Sequence, residues 1–311
     1  MSKKFNANQN IPKTFDNPEK LPNDFNESKD WQILNKNFWE SNPMRYDWIE
    51  SVGKEEGTID FFTEIDNRFF SAIKSVMPWK KLPFDNLIPF DQLKDMNVLE
   101  IGVGNGSHAG LISKYAKNYI GIDLTDYAVK MTKSRLSLLN QTGNILQMDA
   151  EKIDLPDSSI DFIWSWGVIH HTSNTLDVIK EIKRILKPGG QAIIMVYHRS
   201  WWSYYFTGIF IRGILCCDFI KYKTLSRIVQ ASTDGALARY YTKNSWKTFI
   251  STHLIIVKTI FSGNKADLIP LPPSKIKNNI LKYFPTTITM LLLNKFRMGT
   301  FLISTLKKEN N

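Results

Sequence analysis

The sequence predicts an α/β protein: a mostly parallel, doubly wound sheet with helices on both faces and a helical cap. Two observations carry this prediction. Between residues 97 and 197 short apolar runs alternate with longer amphipathic stretches. Each run is too short for a helix and apolar throughout, as in a strand buried on both faces. Hydrophobic residues make up 43% of the 311 and charged residues 23%. That is ample for a core, and it excludes a disordered chain, a collagen-like chain or a small disulfide scaffold.

Residues 1–30 are rich in Asn, Lys and Pro and lack periodicity, which predicts a flexible arm. Residues 31–94 read as an N-terminal helical region. Within it Phe61, Phe62, Ile65, Phe69, Ile73 and Val76 fall near helical spacing, so 58–77 reads as an amphipathic helix. Residues 95–200 read as the core of the sheet. A strand at 97–102 leads through a glycine turn to a helix at 107–117. A second strand (119–123), a second helix (125–139) and a brief third strand (144–147) follow. The fourth strand spans 161–166 and a helix spans 174–186. Pro188-Gly189-Gly190 then turns the chain into a fifth strand at 191–197. Residues 201–311 read as a cap plus C-terminal strands that complete the sheet. An aromatic, apolar stretch covers 201–222, helices 242–251 and 276–296, and strands 253–257 and 299–306.

Charge is unevenly spread. Residues 1–96 hold 13 Lys and Arg against 16 Asp and Glu, and residues 201–311 hold 16 against 4. A basic segment suits nucleic acid, an anionic membrane or an acidic substrate, or is simply a solvated face. The two cysteines, Cys216 and Cys217, are neighbours and a poor structural bridge, so a reducing compartment is expected. No run of eighteen uncharged apolar residues occurs, and the start has no apolar stretch of signal-peptide type. A cytoplasmic protein, at most peripheral to a membrane, is the expectation.

The densest motif is Glu100-Ile-Gly102-Val-Gly104-Asn-Gly106, straight after the first strand. Alternate glycines let the backbone turn sharply and approach a ligand closely. The third glycine comes too early for a dinucleotide fingerprint, and no Gly-Lys-Ser/Thr ending suits a phosphate loop. Asp123 closes the second strand, where a carboxylate can accept from both hydroxyls of a ribose or can cap the next helix. Asp149-Ala150 lies at the same sheet edge, where the acid accepts from an adenine amino group or is an ordinary loop acid.

Taken in order, Glu100-x-Gly-x-Gly-x-Gly106, Asp123, Asp149-Ala150, Trp166-Gly-Val-Ile-His-His171 and Leu186-Lys-Pro-Gly-Gly190 resemble the class I S-adenosylmethionine-dependent methyltransferases. Their closest likeness is to the small-molecule branch with quinone-type and sterol-type enzymes. The resemblance covers roughly residues 95–200. Asp234-Gly235 and Arg239-Tyr-Tyr-Thr242 look like a tail found in some bacterial members. The resemblance implies a Rossmann-like, seven-stranded mixed sheet whose last strand is antiparallel and lies between the fifth and sixth. It implies S-adenosylmethionine as cofactor. Glu100, Gly102, Gly104 and Gly106 would hold its methionine part, Asp123 the ribose and Asp149 the adenine. Leu124 and Ala150 would flank the ring, and Trp166 would complete the set.

Methyl transfer is an in-line displacement at an activated carbon, so the protein must mainly align the acceptor and, where needed, take a proton. His170 stands at the rim after the fourth strand as a base, or caps the turn. Tyr46, Tyr197, His198 and Tyr240 are candidate acceptor contacts or plain packing. The adjacent cysteines and adjacent histidines lack zinc spacing, so no metal is expected. Ser165-Trp-Gly-Val-Ile-His170 lacks the proline turn of base-flipping enzymes, which makes nucleic acid an unlikely partner. A small-molecule acceptor is expected, in a mainly apolar pocket under residues 201–219. The aromatic run there is read as a lid or as an element resting on an anionic membrane. The basic outer face would then favour an acidic or lipid-like acceptor.

Overall fold

The structure, a computed structural model, describes residues 11–47, 50–271 and 274–310. Two helices precede the sheet: α1 (Phe25–Ser41) and α2 (Ile59–Lys74). Thr58 caps α2 by accepting from the Phe61 amide, and the helix buries Phe61, Phe62, Ile65, Phe69 and Ile73. The alternating region follows as β1 (Asn97–Ile101), α3 (Ser107–Ile112), β2 (Asn118–Asp123), α4 (Asp126–Leu138), β3 (Asn144–Gln147), β4 (Ile160–Trp166), α5 (Thr175–Ile185) and β5 (Leu186–His198). Next come a wide helix with i→i+5 bonding (Trp201–Leu215), α6 (Asp218–Tyr222), α7 (Leu225–Gln230), β6 (Tyr240–Tyr241) and α8 (Lys243–Ser251). The chain finishes with β7 (Ile255–Ser262), α9 (Lys275–Lys282), α10 (Thr286–Met290) and β8 (Phe301–Lys307).

The sheet runs β3-β2-β1-β4-β5-β8-β7. β1 to β5 pair in parallel, and β8 is antiparallel to both β5 and β7. The last strand is thus inserted before the one that precedes it in sequence, as expected. The strand period of two sorts apolar side chains onto two faces. Leu99, Ile163, Ile194 and Leu302 pack with Val178 and Ile182 of α5 and Trp246 of α8. Val98, Phe162, Trp164, Ile193 and Ile303 pack with Phe69 and Ile73 of α2, Ala109 of α3 and Val129 of α4. Order reverses at β1, whose other neighbour is β4, so the crevice at the carboxyl ends of β1 and β4 is the expected ligand position.

Several expectations need correction. The sheet has eight strands rather than seven, because Tyr240 and Tyr241 pair with Tyr197 and His198. The helix expected at 107–117 stops after Ile112, and the strand expected at 253–257 is Ile255–Ser262. Pro188-Gly189-Gly190 is a bulge inside β5, which starts directly at the end of α5. Of the expected arm, residues 1–10 lie outside the described residues, 11–24 are a packed strap and 25–30 begin α1. Phe15 is fully buried against Trp31 and Leu237. The Pro18 carbonyl accepts from the Tyr240 amide at 2.9 Å, and Glu19 pairs with Arg199 at 2.6 Å. Local polarity suggested an arm, but one buried aromatic, a backbone bond to β6 and the Glu19–Arg199 pair outweigh it.

Candidate active site

One cavity of about 640 Å³ opens at the carboxyl ends of β1, β2, β4 and β5. Its floor begins at the glycine loop. Gly102 has φ +82°, and a Cβ there would lie 2.2 Å from a Val168 methyl. Gly104 has φ +53°, and a Cβ there would meet nothing within 4 Å. Gly102 and Gly104 both line the cavity. One glycine is needed for packing, and the other keeps bare backbone facing open space. Gly106, by contrast, does not line the cavity: it starts α3 at φ +78°, and a Cβ there would press on Thr132 and Arg135.

Asp123 ends β2 in the cavity wall. Its Oδ2 accepts from the Gly104 amide at 3.1 Å, and Oδ1 accepts from the Thr125 amide and hydroxyl at 3.0 and 2.8 Å. Burial pushes its pKa up, while these bonds oppose the shift. The carboxylate is thereby fixed in place with lone pairs still to offer, since each oxygen accepts more than one bond. Leu124, Asp149, Ala150 and Trp166 also line the cavity. Asp149 Oδ1 already accepts from the Gln32 side chain at 2.8 Å.

Glu100 does not line it. In the strand alternation it shares a face with Val98, so it points beneath α3, where Tyr119 Oη donates to its Oε2 at 2.5 Å. His108 Nδ1 stands 3.9 Å from Oε1. Burial pushes the Glu100 carboxyl up to about 8 and His108 down to about 3. Glu100 therefore supports the loop from below instead of facing a ligand.

The histidines also depart from expectation. His170 is fully buried, and neither ring nitrogen has a partner. It packs on Tyr197 and His171, at ring-centroid distances of 3.9 and 4.1 Å, and is no part of the wall. His171 is the one that lines the cavity. Its Nδ1 is 2.8 Å from the Leu237 carbonyl, which can only accept, so Nδ1 carries the hydrogen and Nε2 is left as an acceptor. Burial pushes the pKa of His171 down, so the ring stays neutral. His198 likewise lies outside the wall, bound through Nδ1 to the Gly299 carbonyl at 2.9 Å.

Tyr46, Tyr197 and Tyr240 do line the cavity, at the end away from Gly104, with Tyr204 of the wide helix. Tyr197 Oη donates to Asp234 Oδ1 at 2.6 Å, and Tyr240 Oη shares a hydrogen bond with Thr233 at 2.6 Å. Burial first, then the Asp234 charge, raises the Tyr46 and Tyr197 phenols.

Sequence reasoning missed two groups here. Asp234 appeared only within a tail match; it is a lone loop acid, and its partner Tyr197 is 37 residues away. Gln32, Asn35 and Trp39 form one face of α1 along the cavity, a helical spacing inside a region with no chemical motif. Asn35 is 4% exposed, and its buried Oδ1 has no partner. Glu40 of the same helix accepts from the Asp126 and Tyr127 amides at 3.0 Å each, tying α1 to the start of α4. Among the described residues no group of three His, Cys, Asp or Glu could hold a metal ion.

Comparison with known proteins agrees with this geometry. The methyltransferase-domain family matches residues 99–194. A tRNA U34 carboxymethyltransferase of Pasteurella multocida is 26% identical over 167 residues, covering 47% of this chain and 52% of that one. The protein of the same name from Glaesserella parasuis is 27% identical over 148 residues, covering 41% and 46%. The chain thus spans about half the length of these curated relatives. Among solved structures, a chain in the complex of the Haloferax volcanii Trm112 methyltransferase activator with a methyltransferase superposes with TM-score 0.51 at 13% identity. That match covers 86% of this chain and 99% of that one. A [4+2]-cyclase superposes with TM-score 0.50 at 13% identity, covering 95% and 100%. Such distant likenesses speak for the fold alone, and the cyclase is a reminder that one fold hosts several chemistries. On the family match and the strand order together, residues 99–194 are a methyltransferase domain.

Proposed function

We propose that the protein transfers a methyl group from S-adenosylmethionine to a small acceptor that enters beneath the wide helix. What carries this reading is a single cavity that reaches from Gly104 and Asp123 at one end to Tyr197 and Asp234 at the other. Its volume of about 640 Å³ is in the usual range for small-molecule sites, roughly 300–1,000 Å³. Bound S-adenosylmethionine supplies a methyl already activated on a sulfonium. The chain's own residues bind and align. Gly102 and Gly104 leave room for the methionine part, Asp123 accepts from the ribose hydroxyls, and Leu124 and Ala150 flank the adenine. Asp149 offers an acceptor to the adenine amino group. The wide helix and α1 exclude water.

A second reading takes tRNA as acceptor, favoured by the names of the relatives at 26–27% identity. A carboxymethyl donor would carry a carboxylate beside the sulfonium and would want a free cation there. Among the described residues the cations in the wall are Arg68 and Arg212, and both are committed. Arg68 binds Glu64 at 2.7 Å and the Glu50 and Ser51 carbonyls at 2.7 and 3.0 Å; Arg212 binds Asp218 at 2.6 Å. This weighs against a carboxymethyl donor, and the tyrosine-lined cavity beneath the wide helix favours the small acceptor.

The outer face of the cap supports a loose hold on anionic lipid as well. Phe210, Ile214, Leu215 and Ile220 are half to four-fifths exposed there, beside Lys221 and Lys223. Among the described residues no helix is long and apolar enough to cross a membrane.

Incubation with methyl-labelled S-adenosylmethionine and, in parallel, a metabolite extract and total tRNA tests the acceptor. Label in the small-molecule fraction alone is expected. Label in tRNA alone would replace this reading with the second.

A further inference from the structure

We infer that the acceptor is an amine on an apolar body, received by Asp234 among the tyrosines at the far end of the cavity. The inference rests on the methyl-transfer reading above and names its substrate class.

Charge in the wall has the opposite sign to charge on the surface. Residues 201–311 are strongly basic overall, with 16 Lys and Arg against 4 Asp and Glu. Two of those four acids, Asp234 and Asp267, nevertheless line the cavity. Both raise the neighbouring Tyr240 phenol, so both fields reach the same place. Asp267 is fixed by the Thr300 hydroxyl at 2.7 Å and the Asn264 amide at 2.9 Å, and Asp234 by the Tyr197 phenol at 2.6 Å. Among the described residues the arginines of the wall, Arg68 and Arg212, are bound elsewhere, and burial holds His108 and His171 neutral; Lys277, outside the wall, acts on Asp267, so Asp234 is the carboxylate left to a ligand. Tyr46, Tyr197, Tyr204 and Tyr240 surround this end. Aromatic faces beside a carboxylate are the setting that holds alkylammonium groups. An acidic acceptor, which the basic outer face suggested, would meet repulsion inside.

The available bases point the same way. An alcohol or carbon acid needs a strong base to become a nucleophile, and the site offers a carboxylate and a histidine weakened by burial. An amine carries its own lone pair once one proton is removed. The bound ammonium passes that proton to Asp234. The free amine nitrogen then forms its bond to the methyl carbon while the carbon–sulfur bond breaks, and that electron pair stays on sulfur as a thioether. The positive charge moves from sulfur to nitrogen, and Asp234 returns its proton to water. From the proton transfer to the end of the step the site holds one positive charge, first on sulfur and then on nitrogen, and Asp234 regains its negative charge beside the product ammonium when the proton leaves.

The test is calorimetric titration of the full chain, first with S-adenosylhomocysteine and then, at saturation, with three isosteric probes: phenethylamine, phenethyl alcohol and phenylacetate. Binding of the amine at least tenfold tighter than either other probe is expected, with the preference lost in Asp234→Asn and reduced in Tyr197→Phe. Equal or tighter binding of phenylacetate or phenethyl alcohol, no amine binding, or an Asp234→Asn variant that keeps the preference overturns the inference. Failure of S-adenosylhomocysteine to bind would instead remove the methyl-transfer reading, and the probe series on the unliganded chain would still judge the amine site.

Discussion

Gly102 and Gly104 stand two residues apart in one loop, yet a methyl group added at each meets different surroundings. At Gly102 it collides with Val168, and at Gly104 it points into open cavity. Both positions have φ above zero, which costs an alanine roughly 1–2 kcal/mol. Gly102→Ala should add the clash and lose more than about 3 kcal/mol, read by chemical denaturation. Gly104→Ala should fold with the smaller loss and bind S-adenosylhomocysteine at least tenfold more weakly. Equal stability losses in the two variants would contradict this division of roles.

Glu100 gives a residue-scale test by pH. Burial, the largest cause, holds its carboxyl up at about 8 against a usual 4.5, with the Tyr119 bond opposing. A raised folded-state pKa stabilises fully below about 4.5, and that contribution is lost as pH rises through about 8. Glu100→Gln mimics the neutral acid and has nothing to lose in that window. Its stability relative to wild type should therefore rise steadily from pH 5 to pH 8. Parallel stability curves would show that Glu100 is ionised in the folded protein. Residues such as this were half legible: Glu100 was visible as part of a motif, but strand alternation sends it under the loop. His170 and His171 show the same limit. They sit in a 3-10 turn, where neighbours diverge by about a third of a turn, and sequence adjacency hides which one faces the cavity.

At the scale of elements, the helix Trp201–Leu215 explains both its own visibility and its own concealment. Tyr204, Gly208 and Gly213 are buried, and Trp201, Tyr205, Phe210 and Ile214 are exposed. Each set recurs every four to five residues, the repeat of i→i+5 bonding. Against a 3.6-residue template the same stretch shows no face, so it reads only as an aromatic run. Its buried face roofs the cavity through Tyr204 and Gly208. Its exposed face leads into Ile220, Lys221 and Lys223 and should grip anionic vesicles weakly. Flotation with phosphatidylserine vesicles is expected at low salt and lost at high salt, because exposed charges are screened beyond about 8 Å at physiological ionic strength. Flotation that survives high salt, or none at either, would remove the electrostatic surface role. The strap 11–24 was missed for a related reason. Its hold depends on Phe15 meeting Trp31 and Leu237, a contact no local pattern announces.

Across the whole molecule, the sheet was legible because each strand is a short apolar run between turn residues, and the strand order followed from the family resemblance. The donor end of the site was legible for the same reason, since Gly102, Gly104, Asp123, Leu124, Asp149 and Ala150 all sit at or just past strand ends and all line the cavity. The other end is assembled from α1, the wide helix and the loop holding Asp234. These segments come together only in the fold, so no spacing records them. The central claim is that one cavity binds the S-adenosylmethionine skeleton at its Asp123 end. Calorimetric titration with S-adenosylhomocysteine tests it most directly, comparing the wild-type chain with Asp123→Ala. One saturable site is expected, weakened in the variant by about 1–3 kcal/mol, the cost of ribose hydroxyls left without an acceptor. No binding by the folded wild-type protein, or equal affinity in Asp123→Ala, would contradict it.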